Sequence, residues 1–223
     1  MLGTFEQAYL NNTINALDDF SAGYICLMDS NLYAKIPVSS RIRFVQDSIN
    51  IGAQTALAMI REFGTRDPVS IANQSGVRIE RVSGSKIIAD IPIHSEYVPS
   101  IKTIYVYEKS MRQLEGAILR LNLREIFPLE ELFSLHVAHE VFHHIECTRV
   151  GPLSERHKVV TFSLGPIRFM SAVRSLSEIG ADSFAKSLTQ VRCFQKILDY
   201  FITEDTIRKL FLRIKDIPSK DSY

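Results

Sequence analysis

Leu135-His136-Val137-Ala138-His139-Glu140-Val141-Phe142-His143-His144-Ile145-Glu146 holds four of the chain's six histidines within nine residues. Within it lies H-E-x-x-H: His139, Glu140 and His143. On a helix, positions i and i+4 stand one turn apart, so both imidazoles face the same way and can share one Zn2+. Glu140 lies beside them, within reach of a water at the metal. Leu132, Phe133, Leu135, Val137, Ala138, Val141, Phe142 and Ile145 make the segment apolar, with Pro128 before it and Gly151-Pro152 after it, so it reads as a buried helix. A short motif of this kind recurs by chance in unrelated chains. Burial argues against chance here, because an unpaired glutamate on an apolar helix is costly to desolvate and a metal site compensates it.

A third ligand is sought downstream. Ser177-Glu178-Ile179-Gly180-Ala181-Asp182-Ser183-Phe184-Ala185 places Glu178 and Asp182 four apart, on one face of a second helix. Glu178 completes a His2Glu set with a fourth position open. Asp182, one turn on, suits the second nitrogen of a ligand histidine. The competing reading is a solvated acidic pair on an amphipathic helix.

His139-Glu140-x-x-His143 followed by Glu178-x-x-Ala181-Asp182-x-Phe184-Ala185 resembles the ImmA/IrrE family of zinc metallopeptidase-like proteins. Upstream, Phe63 to Val77 resembles the segment that leads those domains into their small sheet, so the likeness covers about residues 50 to 200. It implies a zincin-like domain of the minimal gluzincin type; the elements read as α+β, mostly helical, with an N-terminal helical segment, 1–65, packed on a domain over 66–223, or the two as one continuous domain. It also implies one Zn2+ per chain and regulated, site-specific hydrolysis of a protein or peptide partner, in some members a helix-turn-helix repressor. The alternative is a degenerate zincin-like module, stabilised by metal, that binds a regulator without cutting it.

Outward from the motifs, the chain divides into short elements. Residues 2–20 read as an amphipathic helix stopped by Ser21-Ala22-Gly23, and Tyr24 to Met28 as a strand or a buried loop. A helix is expected from about Ser40 to Phe63, with Gly52 and Ala56 permitting close approach. Asp67 to Val77 resembles the start of a helix-turn-helix. The alternation in Val77-Arg-Ile-Glu-Arg-Val82 predicts a strand where a recognition helix would lie, which argues against direct nucleic-acid binding. Lys86 to Ile91 and Lys102 to Glu108 add two strands to give a three-stranded sheet, with 102–108 either an edge beside the metal helix or an interior strand. A helix from Met111 to Phe127 packs behind, with Gly116 allowing the approach. Residues 148–166 read as a loop, either solvated or covering the cleft; a helix follows from Ile167 to about Leu188, then helices at 191–201 and 204–214 and a frayed tail from Ile217.

Tyr105, Tyr107 and His157 are candidates for stabilising negative charge in the reaction, each with an ordinary structural role as the alternative. His136 fits a helix-surface or supporting role better than ligation. Cys147, four after His143, could approach the metal or simply pack. The formal net charge of +1 supplies no whole-chain field for nucleic acid or anionic membranes. Three widely spaced cysteines without a secretory leader, and no long apolar run, predict a soluble, cytoplasmic protein. Mn2+ or Fe2+ could replace Zn2+ on ligands of this type.

Overall fold

Asp18 decides how the chain begins. Its backbone is extended and its side chain accepts a hydrogen bond from the Ser21 amide at 2.8 Å, so the helix α1 (Thr4–Asn15) ends and a new one, α2 (Asp19–Met28), starts. The expectation of one helix stopped by Ser21-Ala22-Gly23 is thus corrected: those residues lie inside α2, and Tyr24 to Met28 is helical. Periodicity was silent there because nearly every residue of α2 is buried. The computed structural model describes residues 4–88, 91–189 and 191–218, so the expected start at Leu2, the end of the 86–91 strand at Ala89 and Asp90, and the tail beyond residue 218 lie outside the described residues.

The long helix α3 (Val38–Phe63) forms as its pattern predicts and ends at Gly64, whose left-handed φ of 66° lets its amide bond back to the Ile60 carbonyl. α4 (Pro68–Gln74) starts on a double cap, the Asp67 carboxylate accepting from the Val69 and Ser70 amides, with Pro68 at the first helical position. Gly76, at φ 73°, then turns the chain into β1 (Arg78–Val82), the strand expected in place of a recognition helix.

The sheet departs from expectation. β2 (Lys86–Ile88) does not join β1 but pairs antiparallel with β3 (Ile91–Ile93) as a separate hairpin. The third strand of the main sheet is β4 (Ser95–Val98), too short to show a period, and the order is β1-β5-β4, with β5 (Thr103–Tyr107) parallel to β1 and antiparallel to β4. The strand at 102–108 is therefore interior, and β4 is the edge that packs along the motif helix.

α5 (Glu108–Arg120) is shorter than predicted, because Asn122 takes a left-handed φ of 49° and Leu123, Ile126 and Phe127 are buried in an irregular segment. A Cβ built at Gly116 would meet nothing within 4 Å, so that glycine serves no close approach. α6 (Leu132–Ile145) is the buried motif helix, continued by one π-helical turn, Glu146–Val150. The stretch expected as loop contains α7 (Leu153–Arg156) and most of a hairpin, β6 (Lys158–Leu164) with β7 (Ile167–Ala172), turned at Gly165 with φ 58°. The charge run Glu155 to Lys158 masked the alternation of Val160, Phe162 and Leu164. α8 (Ser175–Thr189) consequently begins eight residues later than the predicted Ile167. A 3-10 turn, Gln195–Phe201, replaces the predicted helix there, and α9 (Glu204–Lys215) closes the chain on a Thr203 cap.

The result is an α+β fold, about 63% helical with small sheets. The main sheet packs on α6, α6 on α8, and α8 on α3 and α2. One hydrophobic cluster runs through these layers, including Ile25, Val45 and Ala56 before residue 65 and Phe142, Phe184 and Phe201 after it. Among the described residues, no helix is long and apolar enough to cross a membrane.

Candidate metal centre

Helix α6 contributes His139 and His143, one turn apart and facing α8, and Glu140, which faces β4; α8 brings Glu178 and Asp182 to meet the two histidines. His139, His143 and Glu178 place one ligand atom each within 4.8 Å of one another, the one such group of three metal-ligating side chains among the described residues. Nε2 of His139 lies 3.3 Å from Nε2 of His143 and 3.2 Å from a Glu178 oxygen, and His143 Nε2 is 3.7 Å from the other oxygen. Ligand atoms on a tetrahedral zinc, with bonds of about 2.0–2.1 Å, stand about 3.3 Å apart. The donor set fits that ion.

Each histidine is oriented by a carboxylate behind it. His139 donates Nδ1–H to Asp182 at 3.0 Å, and His143 donates Nδ1–H to Glu146 at 3.3 Å. Neutral rings held this way direct the lone pairs of both Nε2 atoms toward Glu178, where only a proton or a cation relieves the repulsion. Burial disfavours the imidazolium of His139, but Asp182 and Glu178 outweigh it and hold its pKa well above the ordinary histidine value. His143 is raised in the same way, against burial, by Glu146 and Glu178. Desolvation opposes ionisation of Glu178, but the hydrogen bond to His139 and the charges of His143 and His139 together outweigh it and hold its carboxyl down to about 2. Full burial raises the Asp182 carboxyl, against the pull of His139; its second oxygen accepts the Lys196 amide at 3.3 Å.

The cleft is closed on its other side by β3, β4 and the 3-10 turn: Pro92, Ile93, His94, Ser95, Glu96 and Tyr97 line it together with the triad, Glu140, Lys196 and Asp199. Ser95 Oγ donates to Glu140 Oε1 at 2.7 Å and fixes that carboxylate in the cleft. Lys196 bonds Asp199 at 2.7 Å, and Asp199 stands 3.5 Å from His94. Burial opposes ionisation of Asp199, but the neighbouring His94 and Lys196 outweigh it and hold its carboxyl at about 2.

The sequence reading missed several of these groups. Glu146, three after His143, carried a legible signal, since i and i+3 share a helix face. Ser95, His94 and Lys196 carried none, because they reach the site only through the tertiary fold. None of the remaining candidates joins the group of three ligands. Tyr105, Tyr107 and His157 do not line the cleft: Tyr107 donates to Glu96, and His157 stacks on Phe44 at 4.1 Å and pairs with Asp47. Cys147 is exposed on the π turn. His136 is wholly buried, donates Nδ1–H to the Leu132 carbonyl at 2.8 Å, and is kept neutral, its pKa pushed down to about 3 by burial and by His94.

Asp182→Asn is a direct test of the orienting role. The amide can present its NH2 to His139 and favour the wrong tautomer, so zinc affinity should fall about 10–100-fold in competition with a chromophoric chelator, with unchanged circular dichroism. Unchanged affinity would remove Asp182 from the site.

No family model, curated protein or solved structure matches the chain.

Proposed function

We propose that the chain is a zinc metallopeptidase that hydrolyses a peptide bond in a protein partner. The observation that carries this reading is the convergence of two imidazole nitrogens and a carboxylate at ligand spacing, with Glu140 in the same cleft. His139, His143 and Glu178 would hold the ion, and the chemistry it supplies when bound is Lewis acidity, lowering the pKa of water to about 7 and polarising a carbonyl oxygen.

The chain's own residues account for the remaining roles. Asp182 and Glu146 hold the histidines in the ligating tautomer. Ser95 holds Glu140, which takes a proton from the attacking water as general base and returns it to the leaving amine. The β4 edge offers main-chain groups beside the cleft, where an extended substrate can add as a further strand. His94, 3.5 Å from Asp199, forms part of the cleft wall. Two linked motifs that resemble the ImmA/IrrE family support the same reading and suggest a helix-turn-helix repressor as the class of substrate. The three cysteines are all free, which supports a reducing compartment such as the cytoplasm.

Elemental analysis after purification without added metal or chelator is the test. About one zinc per chain is expected, lost in both His139→Ala and Glu178→Ala. Glu140→Gln should keep the metal and lower cleavage of a proteome-derived peptide library, read as new N-termini by mass spectrometry, by about 10²–10⁴-fold. A wild-type chain that binds no metal after zinc is added back would refute the hydrolase; metal without any cleavage would leave a zinc-stabilised binding module.

A further inference from the structure

A cavity of about 440 Å3 opens beside the metal cleft and shares a wall with it, since Pro92, Lys196 and Asp199 line both. The Lys196 amide bonds Asp182, which in turn holds His139, so one carboxylate separates that wall from a candidate ligand. The far side is built by Tyr200 in the 3-10 turn, Ile202 just after it, Thr206 in the first turn of α9, and the pair Asp29 and Lys209. The volume falls in the range of sites that hold small molecules, about 300–1,000 Å3, and is ample for one large side chain.

The charges that face this cavity answer one another. Lys196 pairs with Asp199 at 2.7 Å and Lys209 with Asp29 at 2.9 Å. The other oxygen of Asp199 lies 3.5 Å from His94, and the other oxygen of Asp29 accepts from the Tyr200 hydroxyl, with Arg213 a further 3.4 Å neighbour of the Asp29 carboxylate. An incoming ammonium or carboxylate would lose its water beside ions that already have partners, a poor exchange. Between the two pairs the wall is mostly apolar, with Pro92, Ile202 and the Tyr200 ring, over which the Lys209 ammonium stands at 5.6 Å.

We propose that this cavity takes a large apolar side chain, aromatic or branched aliphatic, of the polypeptide held in the metal cleft. The inference rests on the reading of the cleft as the place where a protein partner lies. An extended chain advances about 3.3 Å per residue and turns alternate side chains to the same side. A peptide paired on β4 and passing the metal therefore sets one side chain close to the reacting bond against the shared wall, and the cavity behind Pro92, Lys196 and Asp199 is where that side chain leaves water. Selectivity is then confined to one position of the substrate and is set by Ile202 and by the balance of Asp29 with Lys209.

The test has two arms. In the first, the zinc-loaded full chain cuts the peptide library and the cut sites are aligned; a large apolar residue is expected at one fixed position beside the cut. Ile202→Ala removes part of the apolar wall and should lower kcat/KM for peptides carrying that residue by about tenfold or more, relative to peptides with alanine there. Lys209→Glu, at a half-exposed position where Arg213 still answers Asp29, should move the preference at the same position toward Lys and Arg. The second arm needs neither metal nor cleavage: N-acetyl-phenylalaninamide at millimolar concentration should shift the methyl NMR signals of Ile202 and Thr206 in the wild-type chain, and the corresponding aspartate and lysine amides should not. Cleavage without an apolar preference, or with one that neither variant alters, would overturn the inference and leave the hydrolase standing. Absence of cleavage with the phenylalanine probe seated at Ile202 would do the reverse, keeping the cavity as the anchor site of a binding module. Larger shifts with either charged amide would overturn the assignment to an apolar side chain.

Discussion

Gly52→Ala is expected to destabilise the protein by about 3 kcal/mol or more, although the substitution lies inside a helix, where alanine is ordinarily favoured over glycine by about 1 kcal/mol. The reason is the crossing of α3 and α8. A Cβ at residue 52 would stand 2.2 Å from the Gly180 carbonyl oxygen and 2.9 Å from Ser183 Cβ. The first is backbone, which no rotamer change can move aside, so the helices must separate and the packing on both sides must open. Gly180 is itself pressed from the far side, its own notional Cβ 2.6 Å from a Leu153 methyl and 3.0 Å from the Phe142 ring. α8 therefore has no free direction in which to retreat. The control is the same substitution at Gly116, in α5, where a Cβ meets nothing within 4 Å; there alanine should stabilise by about 0.5–1 kcal/mol. Urea unfolding of both variants decides the matter: midpoints displaced in opposite directions with a shared slope bear out the close crossing. A Gly52→Ala chain as stable as wild type would mean that α3 and α8 do not touch as described.

That crossing also shows what the sequence could and could not disclose. The 3.6-residue period of α3 and the small residues Gly52 and Ala56 were legible, and so was a helix carrying Glu178 and Asp182, because periodicity and motif spacing are local properties. The candidate ligands were legible for the same reason: His139 and His143 are bound to one face by helix geometry alone. Elements whose identity depends on neighbours were not. α2 is buried on all sides and has no period to read; β4 has four residues; and the β6–β7 hairpin turns its apolar side to solvent, against the rule by which strands are assigned. Gly116 looked like Gly52 in the sequence, and only the partner helix distinguishes them.

Glu146 is the residue whose loss should couple the candidate centre to the rest of the fold. Its Oε1 accepts from the Leu153 amide at 2.7 Å and from Ser177 Oγ at 2.6 Å, while Oε2 accepts from His143 Nδ1 at 3.3 Å. One carboxylate thus ties α6 to α7 and α8, and Ser177 passes the link on by accepting the Ser154 amide at 3.2 Å. Glu146→Ala would leave a buried amide and a buried imidazole nitrogen without acceptors, a loss of about 3 kcal/mol. Zinc affinity should fall about 10–100-fold as His143 loses its orientation. Glu146→Gln separates the two effects: its carbonyl can still serve Leu153 and Ser177, but its NH2 confronts the His143 N–H, so stability should fall less than in the alanine variant while metal affinity falls as far. The acid limb supplies an independent check. Burial opposes ionisation of Glu146, yet His143, Ser177 and the Leu153 amide prevail and hold its carboxyl below the ordinary 4.5. A depressed carboxyl contributes stability that is present above the unfolded value and lost as pH falls through the folded one. The stability gap between wild type and Glu146→Gln in the metal-free chain should therefore be full at neutral pH and shrink below about pH 4.5. A gap that stays constant down that limb would show that Glu146 holds its three partners by shape and not by charge.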